Sequence, residues 1–273
     1  MDLSDLRIRF ESAEGQLNIA TAILVKAADV FRVHHCDIEQ NRFGYGINVR
    51  QSRLGYVSDC KLIETNRKDH PKRNSVGIGL NESTFRVIAH DCHIEGYDHA
   101  IQFGGLDCME SSPHSYPSFE NVAQNNRIAN VETGFAFFSS GKCVARNNTV
   151  LSPERYVIRV LRDRSIADPQ QNLVVHNVFD YRNALLDNCD TVRSDAISYG
   201  PNFWSSPRER SRSPSFAKEA DAAQLLGEAP EFDADGIAIR IEPMGIKKTK
   251  IAMAEPRFQH TTSYHRFLES RLG

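Results

Sequence analysis

Asp37, Lys61, His93 and Arg127 each stand directly after a Cys or Asn that recurs along the chain at intervals of roughly 24 to 34 residues. A carboxylate, an ammonium, an imidazole and a guanidinium in equivalent places make a set able to move a proton beside fixed positive charge. Arg127 or Lys61 would neutralise a uronate carboxylate and so acidify the adjacent C–H, while His93 or Lys61 removes the proton. The reaction class would be β-elimination or C5 epimerisation, with Lys61, His93 and Arg127 as the candidate catalytic residues. The competing reading of the same residues is a solvated sheet of alternating charge, each exposed pair worth under about 1 kcal/mol.

Other polar groups flank this set. Glu39 and Glu95 lie two positions further on, Asp59 and Asp91 one position before the recurring residue, and His34 and His90 two before. Asp37, Asp91 and Glu95 are candidate substrate-binding groups. Asp59, Asp91 and Glu95 are also a candidate Ca²⁺ set, although no stretch has the ligand spacing of a calcium loop. In "EGYDHAIQFGG" a tyrosine, a carboxylate and an imidazole stand together. Strand alternation turns Asp98 and His99 in opposite directions, which leaves Tyr97 and Asp98 as rim residues of a substrate site. Segment 67–73, "RKDHPKR", holds four cations, Lys72 and Arg73 among them. It reads as a lip that grips a polyanion or as a solvated loop.

A repeat must position these groups. The stretches "FRVHHCDIE", "GYVSDCKLIE", "RVIAHDCHIE", "NVAQNNRIA", "CVARNNTVL" and "LVVHNVF" share one frame, anchored on Cys36, Cys60, Cys92, Asn126, Asn148 and Asn177. A second apolar block follows each anchor: "GINV", "GIGL", "AIQF", "GFAF", "VIRV" and "ALL". Alternation inside these blocks has the period of a strand, and Asn, Asp, Gly and Ser punctuate them. Coils of about 22 to 24 residues with loops of variable length then stack as a parallel solenoid. Equivalent residues lie about 4.8 Å apart, so Asp37, Lys61, His93 and Arg127 become neighbours on one outward face.

The second blocks predict an inward column of Ile47, Ile78, Ile101, Phe135, Ile158 and Leu185, beside Val49, Leu80, Phe103, Phe137 and Val160. The outward column between them, Asn48, Gly79, Gln102, Ala136, Arg159 and Leu186, reads as chemically bland.

Over residues 6–204 these units resemble the right-handed parallel β-helix proteins of the pectate-lyase-like superfamily, with "DC.IE" and "NN.I" corners and the "GI.V" strands that follow. The resemblance implies an all-β, right-handed parallel β-helix of about seven coils, with Asn and Cys stacked at a turn. It also implies a lyase or epimerase acting on an acidic polysaccharide. The paired-Asp and Gly-His-Gly signature of polygalacturonases is absent, and Tyr97, Asp98 and His99 match only part of the alginate-epimerase signature. Fold does not entail function, so a non-catalytic polysaccharide-binding or structural β-helix, in a surface or phage-like assembly, is the alternative.

Composition narrows the partners. With 33 basic and 35 acidic residues there is no global field that would recruit nucleic acid. Six cysteines without a CxxC pair read as free thiols. The first residues carry acids where a signal peptide needs basic residues, and no run of about 18 apolar residues predicts a membrane span. Sequence alone thus points to the cytoplasm, and the resemblance points outside it. After "GPNFW" the repeat stops, which divides a solenoid domain, 1–204, from a C-terminal segment, 205–273. In that segment a Ser/Pro/Arg-rich connector precedes a capping helix over 216–226, with Ser215 as N-cap and Gly227 as stop, then a "PEF" turn and a tail.

Overall fold

Short β-branched and aromatic runs, broken every few residues by Asn, Asp, His or Gly, favour strands that pair with equivalents one repeat away. The computed structural model describes residues 1–10, 20–41, 44–65, 75–105, 118–161, 170–180, 185–189, 196–200, 202–205, 224–227, 231–232 and 238–240. Among them every regular element is a strand.

The strands form three parallel sheets in which spatial order follows chain order. The first sheet contains Asp2–Ser4, Phe31–His34, Arg53–Ser58, Phe85–His90, Val122–Gln124, Val144–Arg146, Asn172–Val175 and Ile197–Tyr199, with Ser118–Phe119 and Ser140–Gly141 alongside. Arg7–Phe10, Asp37–Gln40, Lys61–Glu64, His93–Glu95, Arg127–Ala129, Thr149–Leu151, Val178–Asp180, Asn202–Ser205 and Gln224–Gly227 make the second. The third runs through Ala20–Lys26, Gly44–Arg50, Ser75–Leu80, His99–Phe103, Thr133–Phe138, Tyr156–Leu161 and Leu185–Cys189. The chain visits the three sheets in rotation, a path consistent with a β-helix solenoid.

The corner from first to second sheet is the most regular feature. At six consecutive passes one residue takes a left-handed backbone conformation: His35, Asp59, Asp91, Asn125, Asn147 and His176, with φ between 52° and 56°. Among residues with a Cβ, Asn, Asp and His tolerate this region best, and all six are of these types. The anchors come next, and all are buried. Asn148 Oδ1 accepts from the backbone N–H of Asn126 at 3.0 Å and from its Nδ2 at 2.9 Å. Asn177 Oδ1 does the same for Asn148, and Asn202 Oδ1 for Asn177. Each second amide hydrogen goes to a carbonyl of the first sheet, at Ala89, Ala123 and Ala145.

Cysteine, lacking an amide, handles the earlier corners differently. The thiols of Cys36, Cys60 and Cys92 each donate to the carbonyl two residues back, at 3.3, 3.1 and 3.3 Å. Cys36, Cys60, Cys92 and Cys143 are free and buried. Burial pushes the Cys143 thiol up to about 12, so it is protonated and unreactive at neutral pH.

The core fills the space between the sheets. Ile47, Ile78, Ile101, Phe135 and Ile158 are consecutive in register and fully buried. Phe103 and Phe137 stack with ring centres 4.9 Å apart. Each such side chain contributes about 1.5–3 kcal/mol by leaving water.

Three expectations are corrected. Asp187 and Asn188, not Leu185 and Leu186, stand in register with Ile158 and Arg159. A period-two pattern cannot detect a slip of two residues, because side-chain parity is unchanged. Gln224–Gly227, the end of the expected capping helix and its stop, is a strand paired with Asn202–Ser205. Here an unsatisfied sheet edge outweighs helix propensity; residues 216–223 lie outside the described residues. Glu231–Phe232 pairs antiparallel with Ala238–Arg240. Tyr97, expected at a rim, is fully enclosed in the core, and a Cβ on Gly46 would come within 3.0 Å of its hydroxyl.

The corner makes a testable distinction. Asn148→Ala leaves the Asn126 amide N–H without its acceptor and should lower unfolding free energy by about 2–4 kcal/mol. Asn147→Gly keeps the left-handed corner and should change it by under about 1 kcal/mol. Urea unfolding monitored by circular dichroism checks both.

Candidate functional site

The outward face of the second sheet carries the predicted stripe. Arg7, Asp37, Lys61, His93, Arg127 and Thr149 follow one another in register. Asp37 and Lys61 are exposed, while His93 and Arg127 are half-buried. The neighbouring column reads Arg9, Glu39, Ile63, Glu95, Ala129 and Leu151. At the N-terminal end of this face Arg7, Arg9, Asp37, Glu39, Lys61 and Ile63 line a shallow depression. Neither Arg7 nor Arg9 is marked by the repeat, because Arg7–Phe10 precedes the first anchored unit.

Within the stripe, His93 and Arg127 are coupled. Arg127 Nη1 lies 3.1 Å from His93 Nε2 and 3.4 Å from Nδ1, and a guanidinium can only donate. The imidazole must therefore accept, which requires its neutral form. Burial, with the Arg127 charge second, holds the His93 pKa below its ordinary value. Glu95 opposes this with Oε2 3.5 Å from His93 Nε2, and Glu95 Oε1 is fixed by Asn130 Nδ2 at 2.9 Å. The arrangement holds a neutral base between two cations, with a carboxylate placed to stabilise it once protonated.

The remaining predicted residues scatter. Asp91 sits at the left-handed corner, with Oδ2 2.6 Å from His90 Nδ1, and is drawn off the stripe. Asp98 is buried rather than at a rim, accepting from Ser75 N at 2.8 Å and Ser75 Oγ at 3.2 Å. Lys72 and Arg73 lie outside the described residues. Among the described residues no group of three or more His, Cys, Asp or Glu is placed to hold a metal ion. Nor do they contain a helix long and apolar enough to cross a membrane.

A second polar assembly, which no sequence motif marks, lies on the outer face of the third sheet. All residues of Ser75–Leu80, His99–Phe103 and Thr133–Phe138 are buried on both faces. In the column read as bland, large polar and small residues alternate: Asn48, Gly79, Gln102, Ala136, Arg159. The small residues leave gaps that longer side chains cross. Over Gly79, where a Cβ would lie 2.7 Å from Asn81 Nδ2, Asn81 bridges Asn48 and Gln102. Beyond Ala136, Arg159 Nη1 reaches His99 Nε2 at 3.3 Å. His99 Nδ1 lies 3.1 Å from Gln102 Oε1, which completes a chain from Arg159 to Asn48. Because Arg159 only donates, every bond in that chain points the same way, and His99 is the neutral Nδ1–H tautomer. Burial lowers the pKa of His99.

His93 should therefore titrate below 6.5, its ordinary value, with Arg127→Ala raising its pKa and Glu95→Gln lowering it further, as read by NMR pH titration. His93, His99 and His176 are all depressed, so the unfolded chain takes up protons first. Their contribution to stability is present above the unfolded value and lost as pH falls through the folded ones. Comparison of the chain with protein-family models, with curated proteins and with solved structures finds no match, so the functional reading rests on this geometry.

Proposed function

We propose that the protein acts on an acidic polysaccharide, using the outer face of the second sheet to remove the proton next to a uronate carboxylate. The architecture behind this reading is a right-handed β-helix of about seven coils, of the kind the sequence resembles. One observation carries it: Lys61, His93 and Arg127 stand on adjacent strands in one register, with the central imidazole held neutral.

The chemistry follows from those positions. Lys61 and Arg127 pair with the carboxylate and stabilise the enolate-like charge that develops on it. His93 takes the C5 proton as general base, and Glu95 stabilises the resulting imidazolium. In elimination the C5–H electron pair becomes the C4–C5 double bond while the C4–O bond breaks, its oxygen taking a proton from water. In epimerisation a proton returns to the opposite face of C5. No metal is required in this scheme, although a Ca²⁺ ion bound with the substrate would serve the same neutralising role.

A second reading has its own support. His93 and Arg127 already bond to each other, and the described part of this face holds a shallow depression instead of a deep cleft. Both favour a non-catalytic surface that binds a polyanion through Lys61, Arg127, Arg7 and Arg9 and weakens with salt.

A panel of uronans separates the two. Turnover should appear as unsaturated ends or altered C5 stereochemistry and fall about 10²–10⁴-fold in His93→Gln. Arg127→Gln should lower it about 10²–10³-fold, with unfolding midpoints unchanged in both variants. Absence of either product from every uronan, with salt-sensitive binding retained, would leave the binding reading in its place.

A further inference from the structure

The guanidinium of Arg159 is half-buried on the outer face of the third sheet, and among the described residues it has no carboxylate partner. Two acids whose charge is felt at His99, Glu132 and Asp98, are otherwise engaged. Glu132 Oε1 accepts from Arg155 Nη1 at 3.2 Å, and Asp98 is held by Ser75. Its one hydrogen-bonded neighbour, His99, is neutral and cannot supply the missing charge. A cation withdrawn from water without a counter-charge is costly, which makes the arrangement an incomplete ion pair.

Geometry indicates what would complete it. The bond from Nη1 to His99 fixes the plane of the guanidinium and leaves the edge formed by Nε and Nη2. Nε is buried and has no hydrogen-bond partner among the described residues. That edge presents two parallel N–H groups, the fork that matches the two oxygens of a carboxylate. The guanidinium carbon lies over the Tyr156 ring, 5.6 Å from its centre. Thr133, in register with Tyr156 on the adjacent strand, holds a second buried group without a partner, Oγ1.

We propose that Arg159, oriented by His99 and supplemented by the Thr133 hydroxyl, forms a binding site for the carboxylate of an organic or sugar acid. This site is separate from the stripe on the second sheet and stands whether or not that stripe is catalytic. Ala136 is part of the design because its small side chain lets Arg159 lie across the sheet to reach His99. The polar chain through Gln102, Asn81 and Asn48 continues from His99 and holds the imidazole, so the whole assembly serves to aim one guanidinium.

Titration of the full chain with acetate, glucuronate and inorganic phosphate at matched chloride tests this. Acetate and glucuronate should bind saturably and more tightly than phosphate, with amide shifts centred on Thr133–Phe138 and Tyr156–Leu161. Tighter binding of glucuronate than acetate assigns the carboxylate to a sugar acid, and equal binding assigns it to the bare group. Arg159→Lys, which keeps the charge and removes the fork, should weaken binding about tenfold or more. Thr133→Val gives an independent check on a variant with the guanidinium intact and should weaken it about threefold. The proposal is overturned by a preference for phosphate, by the absence of saturable carboxylate binding, or by shifts centred on Lys61–Glu64 and His93–Glu95. Undiminished affinity in a folded Arg159→Lys protein overturns it equally.

Discussion

Everything in this molecule depends on satisfying backbone polar groups at the corner between the first and second sheets. The chain must turn sharply there once per circuit, in the interior, where an unpaired amide costs about 1–3 kcal/mol. A left-handed residue makes the turn, and an asparagine side chain from the next coil accepts the exposed N–H. The bonds run from coil to coil, so the corners keep the strands in one register. Register, in turn, decides which side chains stand beside each other on every face. The identities of Asp59 and Asp91 belong to this constraint: they are corner residues first, and their carboxylates are a by-product of the conformation the corner needs.

Two histidine–arginine pairs grow out of that register, and they differ instructively. On the second sheet His93 and Arg127 are in-register neighbours at a half-buried surface, where the imidazole retains access to a ligand and to Glu95. On the third sheet His99 and Arg159 are two strands apart and meet only because Ala136 lies between them. In both cases the arginine donates and the histidine is neutral, since burial and a nearby cation disfavour a second positive charge. The first pair places a base beside cations, which suits proton transfer. In the second the base only orients a cation, which suits recognition.

Much of the sheet architecture was legible beforehand because its signals are local. The anchors Cys36 to Asn177 and the inward isoleucines recur in one frame, and strand period reports side-chain direction directly. The stripe Asp37, Lys61, His93, Arg127 followed from the same frame. Tyr97 was misplaced because an isolated aromatic beside a glycine-rich bend gives no hint that its hydroxyl ends beside Gly46, two strands away in the third sheet. Asp98 likewise gave no sign that Ser75 would occupy it. The end of the expected helix, Gln224–Gly227, shows the limit of propensity: an open sheet edge offers a row of hydrogen bonds that a short helix cannot match.

What the sequence by itself determined is the stacking frame: strand period, corner residue types, and the order of side chains within the columns up to Arg159. Those are properties of single residues and of their spacing along the chain. Only the tertiary structure decided which polar groups meet across columns. Asn81 lies beyond its strand, His99 belongs to a different column from Gln102, and Arg159 reaches past a neighbour. Their contacts depend on the gaps left by Gly79 and Ala136, and a gap is visible only once the strands on both sides of it are in place.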